Sequence, residues 1–188
     1  MTASRTRGPY VKGVERREQI LRTALEVFSE GGYHRSSLKE IARRVGVTEP
    51  TLFHYFGSKE ALLAAVLAAR DERTGEVVDA GDVLDGLLAA TRRNVGTPDL
   101  VRLYATTSAE ATEPGHAAHD WFRDRYASVR QEIAERLADR VPADADPEWV
   151  ARILIAVMDG LQIQWLLDRD VDMVGDMERL AAALLPDA

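Results

Sequence analysis

The chain has 188 residues, 46% hydrophobic and 29% charged, with a formal net charge of −7 at pH 7, the balance of a globular protein large enough to bury a core without covalent staples. It has no cysteine, which excludes a disulfide framework, Cys-ligated zinc, iron–sulfur clusters and thiol catalysis and suits a reducing cytoplasm. No uninterrupted apolar run approaches the ~20 residues of a membrane span, and the basic residues 1–13 lack the apolar stretch of a signal peptide.

The charge is unevenly distributed. Residues 1–59 hold 11 Lys+Arg against 6 Asp+Glu, a net of +5, and include all three lysines, Lys12, Lys39 and Lys59. Residues 60–188 hold 13 against 25, a net of −12. A basic head on an acidic body is the asymmetry expected when only one end meets phosphates.

In chain order the sequence reads as helix after helix, with no run of alternating β-branched residues. Residues 1–13, with Gly8-Pro9 and several cations, read as a flexible arm. A helix over 14–30 carries the stripe Ile20, Leu21, Ala24, Leu25, Val27 and Phe28, and Gly31-Gly32 stops it. Ser37-Leu38-Lys39-Glu40 has the form of a capping box, with Ser37 accepting from the backbone near Glu40 and Glu40 reaching back. The short helix it opens ends at Val45-Gly46-Val47. Thr48 caps a third helix over 49–55, with Pro50 in the first turn, where its missing N–H costs nothing. Gly57 breaks that helix, and Ser58 caps a long apolar one over 59–78.

Helices over 82–95, 97–112 and 116–140 follow, the last preceded by the turn Glu113-Pro114-Gly115. After a loop at 141–145, Asp146-Pro147 opens a strongly apolar helix ending near Asp168, and a last helix covers 173–185. The fold class is therefore all-α. Three N-terminal helices with the spacing of a helix-turn-helix are followed by a helical bundle. The boundaries fall at 1–13, 14–64 and 65–188, with the 59–78 helix shared rather than a flexible tether.

Residues 37–55 carry the functional signal. Two short helices meet at a glycine that permits a tight turn, and Ala42, Val47 and Leu52 pack them so that the second stands off the body. Such a helix can lie in the major groove with its first residues at base edges. The run from Ser36 to Leu63, SSLKEIARRVGVTEPTLFHYFGSKEALL, resembles the DNA-binding domain of the TetR family, and the leading helix with Gly31-Gly32-Tyr33 fits as well. Asp159-Gly160-Leu161-Gln162 and Trp165-Leu166-Leu167-Asp168 resemble the family's penultimate-helix pattern more loosely.

The resemblance implies roles by position. Glu49, Pro50 and Thr51 face bases, Tyr55 and Lys59 hold phosphates, and Ser37 contacts a phosphate while capping its helix. Thr48, His54, Lys39 and Arg43 join the DNA-facing set, and Arg5, Arg7 and Lys12 of the arm extend along the backbone or into a minor groove. Phe53 departs from the tyrosine usual in the family, which removes one phosphate contact. Glu49 is either a reader of cytosine N4 or a solvated acid stabilising the helix start.

The acidic body has two expected tasks. Wide apolar stripes on the last two helices (Val150, Ile153, Leu154, Val157, Leu161 and Trp165; Met177, Leu180, Ala181 and Leu184) are either core or the pairing surface of a homodimer on a palindromic operator. Tyr104, Thr107, Trp121, Phe122, Tyr126, Met158, Gln162 and Trp165, with His116 and His119, mix aromatic and polar groups as a small-molecule effector site between bundle helices would. Arg92 and Arg93 are candidates for an anionic ligand. Glu113, His116, His119 and Asp120 read as a polar helix start rather than a metal site, and no catalytic constellation stands out. The sequence thus points to a cytoplasmic, ligand-responsive repressor with no cofactor. A regulator answering to a protein partner and a helical enzyme with an incidental basic end are the alternatives.

Overall fold

The computed structural model describes residues 9–78 and 82–185, with side chains described over 13–69 and 82–185. Among the described residues every regular element is a helix. The chain divides into two compact units, one ending at Ala69 and the other beginning at Arg70.

The first unit holds α1 (Pro9–Arg35), α2 (Leu38–Val45), α3 (Glu49–Phe56) and the beginning of α4 (Lys59–Val78). Helix α1 starts at Pro9, so residues 9–13 of the expected arm are helical. Arg5 and Arg7 and the Lys12 side chain lie outside the described residues. Gly32 interrupts α1 with φ 73° and ψ 163°, a region essentially restricted to glycine. The Ser36 hydroxyl lies 2.6 Å from the Gly32 carbonyl and 3.0 Å from that of Val27, and its single proton serves these two acceptors beside the break.

The core of this unit is Ile20, Ala24, Phe28, Ile41, Leu52, Leu62 and Leu63, all buried. Each large apolar side chain taken from water contributes about 1.5–3 kcal/mol. Polar contacts tie α2 to α1. Arg44 donates to both carboxylate oxygens of Glu30 (2.8 and 2.7 Å) and to Glu40 (2.8 Å), and Arg43 donates twice to Glu40 (2.8 and 2.7 Å).

The expected capping box is half formed. Ser37 accepts from the Glu40 backbone N–H at 3.2 Å. Glu40 does not reach back, because two guanidinium groups hold its carboxylate, and charge-assisted pairs of this kind outcompete one backbone N–H.

The second unit holds α5 (Val83–Val95), α6 (Pro98–Glu110), α7 (His119–Leu137), α8 (Pro147–Leu167) and α9 (Met173–Leu184). Helix α8 packs against α7, α9 and α6. Val101, Ile133, Leu137, Val150, Leu154, Leu161, Trp165, Met173 and Met177 form the core around it.

Helix α7 begins three residues later than the sequence predicts. His116 Nδ1 accepts from the Ala118 N–H (3.1 Å) and His119 Nδ1 lies 2.8 Å from the Ala111 carbonyl, so both imidazoles satisfy the turn's backbone before the helix starts. Asp146 caps α8 by accepting from the Glu148 N–H, as the sequence predicts.

Helix α8 is long and apolar enough, by length and composition, to cross a membrane. Its sequence nevertheless carries Arg152, Asp159, Gln162 and Gln164, and one side is core. The stripe expected to be core or pairing surface is mainly core: Val150, Leu154, Leu161 and Trp165 on α8 and Met177 and Ala181 on α9 are buried within the chain, while Ile153, Val157, Leu180 and Leu184 are half-buried. A different face of α8 stays open, with Trp149, Ile163 and Leu167 exposed and Ala156 between them.

Candidate nucleic-acid interface and sensor site

The turn between α2 and α3 is set by Gly46, whose φ of 77° and ψ of 37° are left-handed and favour glycine. Its N–H closes α2 on the Ala42 carbonyl at 2.9 Å, and the Val47 N–H bonds the same carbonyl at 2.9 Å. Thr48 then caps α3, accepting from the Thr51 N–H at 3.4 Å while the two threonine hydroxyls lie 2.9 Å apart. Leu52 alone of α3 is fully buried and anchors the helix.

Around that anchor Glu49, Pro50, Phe53 and His54 are exposed, and Thr51 and Tyr55 are half-buried. The Tyr55 ring lies between its neighbours, 5.9 Å from His54 edge-on and 6.2 Å from Phe56. Ser37, which caps α2, and Lys39 and Arg43 on it are exposed. Arg43 is held by Glu40 but keeps 70% of its side chain open to solvent.

Ser58 caps α4 by accepting from the Ala61 N–H at 3.1 Å, and Lys59 follows in the first turn. The Lys59 ammonium sits 4.3 Å from the centroid of the Tyr33 ring, and the Tyr33 hydroxyl donates to Glu60 at 3.0 Å. Partial burial lowers the Lys59 pKa from the ordinary lysine value, against the raising effect of Glu60. Burial, then the Glu60 carboxylate, raises that of Tyr33. Tyr33 is the residue that sequence reasoning left without a role. Its only signal was its place after Gly31-Gly32.

In the second unit the expected effector residues fall into groups. Tyr104, Trp121, Phe122 and Tyr126 form one aromatic cluster, with Phe122 5.1 Å from Tyr104, 4.8 Å from Trp121 and 6.3 Å from Tyr126. Arg125 donates to the Tyr104 hydroxyl at 2.7 Å and lies 5.0 Å over its ring. The Tyr126 hydroxyl donates to Asp159 at 2.6 Å, and burial with the neighbouring Tyr104 and Asp159 raises its pKa.

Arg125 is a polar member of this site that the sequence did not single out, and Asp159 stood there only as part of the penultimate-helix pattern. The spacing of Trp121, Phe122, Arg125 and Tyr126 along one face of α7 was the available signal. Thr107 and Gln162 are buried, and the Gln162 side-chain amide nitrogen finds no hydrogen-bond partner among the described residues. Met158 packs on the core that contains Trp165, whose ring is covered by Arg169 at 3.7 Å.

A cleft of about 240 Å³ between α7 and α8 is lined by Tyr126, Arg130, Arg152, Ile155, Ala156 and Asp159. Of the residues expected to bind an effector, Tyr126 alone lines it. A larger cleft of about 340 Å³ involves α5 and α9 and includes Asp82, Asp85, Arg140 and Glu178. There Arg140 pairs with Asp82, and Arg92, a candidate for an anionic ligand, bridges to Glu178 at 3.0 Å. Asp82 and Glu178 in this cleft thus have arginine partners, and the aromatic cluster is elsewhere.

Comparison with known proteins places this geometry. The family described as "Bacterial regulatory proteins, tetR family" matches residues 20–66, and "BetI-type transcriptional repressor, C-terminal" matches residues 82–187. The HTH-type transcriptional repressor Rv1474c of Mycobacterium tuberculosis is 30% identical over 185 residues, covering 90% of this chain and 89% of its own. Among solved structures, Salmonella enterica GusR superposes with a TM-score of 0.76 at 24% identity, over 97% of this chain and 100% of its own. A putative transcriptional regulator from Saccharomonospora viridis in complex with choline superposes at 0.68 with 25% identity, over 89% and 94%. With a glycine-turned pair of short helices in the first unit, helices alone among the described residues that follow and both segments matched, the chain belongs to the TetR family and is a DNA-binding transcriptional regulator, not an enzyme.

Proposed function

We propose that the chain is a cytoplasmic repressor that binds a palindromic operator as a homodimer and releases it when a small molecule occupies the second unit. The exposure of Glu49, Pro50, Phe53 and His54 around the single buried anchor Leu52 carries this reading. A helix anchored by one fully buried side chain, with Glu49, Pro50, Phe53 and His54 open to solvent, is shaped for insertion into a groove. Glu49, Pro50 and Thr51 meet bases, with Thr48 and His54 beside them. Ser37, Lys39, Arg43, Tyr55 and Lys59 meet phosphates. Repression is supported by the names of relatives that match along most of the chain.

The effector site is the aromatic cluster of Tyr104, Trp121, Phe122 and Tyr126 with Thr107, Met158, Gln162 and Trp165. The choline-bound relative supports a small-molecule site in this body. The buried, unpartnered Gln162 amide supplies a donor for an oxygen acceptor.

Selection of bound duplexes from a genomic pool, repeated at several salt concentrations, tests the reading. A palindromic consensus with affinity falling steeply in salt is expected. Weak binding with no sequence preference from effector-free protein would count against operator reading. Glu49→Ala is expected to relax preference at one base pair per half-site by about 1–3 kcal/mol; an unchanged consensus would return Glu49 to a plain helix-start acid.

A further inference from the structure

We infer that Tyr33 is a positioning residue for DNA binding, its ring acting as the platform that holds the Lys59 ammonium ready for a phosphate. The inference rests on the reading of Lys59 as a phosphate contact. A lysine at the start of a helix is ordinarily a mobile point charge on a flexible stem. Here its ammonium lies 4.3 Å from the Tyr33 ring centroid, well within the range of cation–π attraction.

The ring itself is immobilised. Tyr33 is 6% exposed, packs at 5.9 Å on Phe28 and 5.4 Å edge-on against His34, and is fixed at its hydroxyl by the 3.0 Å bond to Glu60. That bond has a second effect. It engages the Glu60 carboxylate, the acid adjacent to Lys59 in sequence and the group best placed to neutralise it. The Gly32 conformation makes the arrangement possible by breaking α1 immediately before Tyr33. Partial desolvation of the lysine fits a cation held against a ring, already stripped of part of the water that a phosphate would displace.

The test uses the full chain, sheared genomic duplex DNA as the probe and affinity measured across a salt series. Phosphate contacts are sequence-independent, and each one lost reduces the slope of log K against log salt by about 0.9. Lys59→Ala is expected to lower both affinity and slope. Tyr33→Leu should reproduce most of both losses, a fall of about fivefold or more in affinity with the slope reduced by about 0.9 per reader. Tyr33→Phe, which keeps the ring, should restore the slope. In the Lys59→Ala background, Tyr33→Leu should add nothing.

A Tyr33→Leu protein that loses affinity with an unchanged slope, or that loses as much again in the Lys59→Ala background, would show that Tyr33 serves only the fold. Thermal melts of the same variants identify that case. A Lys59→Ala protein with wild-type affinity and slope would overturn the phosphate reading of Lys59 and this inference with it. Normal loss in Lys59→Ala with none in Tyr33→Leu would overturn this inference alone.

Discussion

At the scale of single residues, Glu40 does more than its place in the sequence suggests. It was expected to close a capping box, and instead it accepts from Arg43 and Arg44, while Arg44 also holds Glu30. The guanidinium hydrogen bonds hold its carboxyl at about 2, well below the ordinary carboxylate value, and lower that of Glu30 for the same reason. A group whose pKa is depressed by folding adds stability above its unfolded value, and that stability is lost as pH falls toward the folded value. The Glu40 contacts that brace Arg44, the residue linking α2 to Glu30 of α1, are therefore complete at neutral pH and weaken as pH falls from about 4.5 toward 2. Urea melts of wild type and Glu40→Gln across pH 7 to 2.5 should show a shallower acid limb in the variant. Parallel limbs would mean that the cluster contributes nothing to acid sensitivity. The groups are exposed and screened, so the difference is expected to be small.

At the scale of elements, Gly32 and Gly46 both break helices with a positive φ, and they differ in what can replace them. Gly46 is left-handed at φ 77°, ψ 37°, a conformation that asparagine tolerates. Gly32 at φ 73°, ψ 163° lies where only glycine is comfortable. An added Cβ meets nothing within 4 Å at either position, so the cost of substitution is conformational rather than steric. Gly46→Asn should therefore cost well under 1 kcal/mol, and Gly32→Asn about 1–3 kcal/mol by denaturant unfolding; equal costs would mean that the Gly32 geometry relaxes freely.

These same elements show what the sequence made legible. Gly46, Gly57, Ser37, Thr48 and Asp146 marked helix ends correctly because caps and left-handed turns are local chemistry. The later start of α7 escaped because His116 and His119 bond backbone groups of the preceding turn, which no periodicity reveals. Arg125 and Tyr33 escaped because their partners, Tyr104 and Lys59, are remote in sequence. The fate of the α8 stripe depended on which side of the helix its neighbours occupy. A continuous apolar pattern does not contain that fact.

At the scale of the whole molecule, the open face of α8 is the feature that a single chain does not explain. Leu167 is 84% exposed, Ile163 51% and Trp149 45%, at spacings that bring them to one side of the helix. Stable protein pairs bury about 800 Å² per partner, and an apolar helix face repeated by a two-fold axis is self-complementary. Because these side chains are already exposed in the protomer, replacing them with charge leaves its core intact. Under the proposed homodimer, Ile163→Glu with Leu167→Glu should shift sedimentation from dimer to monomer, while the protomer keeps its helical signal.

DNA binding reports the consequence. Two readers joined in one dimer gain avidity over one reader of roughly 10²–10⁴-fold. The monomeric variant should keep the salt dependence of a single reader on non-specific DNA and lose tight binding to a palindrome. A double variant that stays dimeric would move the pairing surface away from this face of α8. A monomer that still binds the palindrome tightly would show that each half-site is read alone and that pairing is not needed for the reading of DNA.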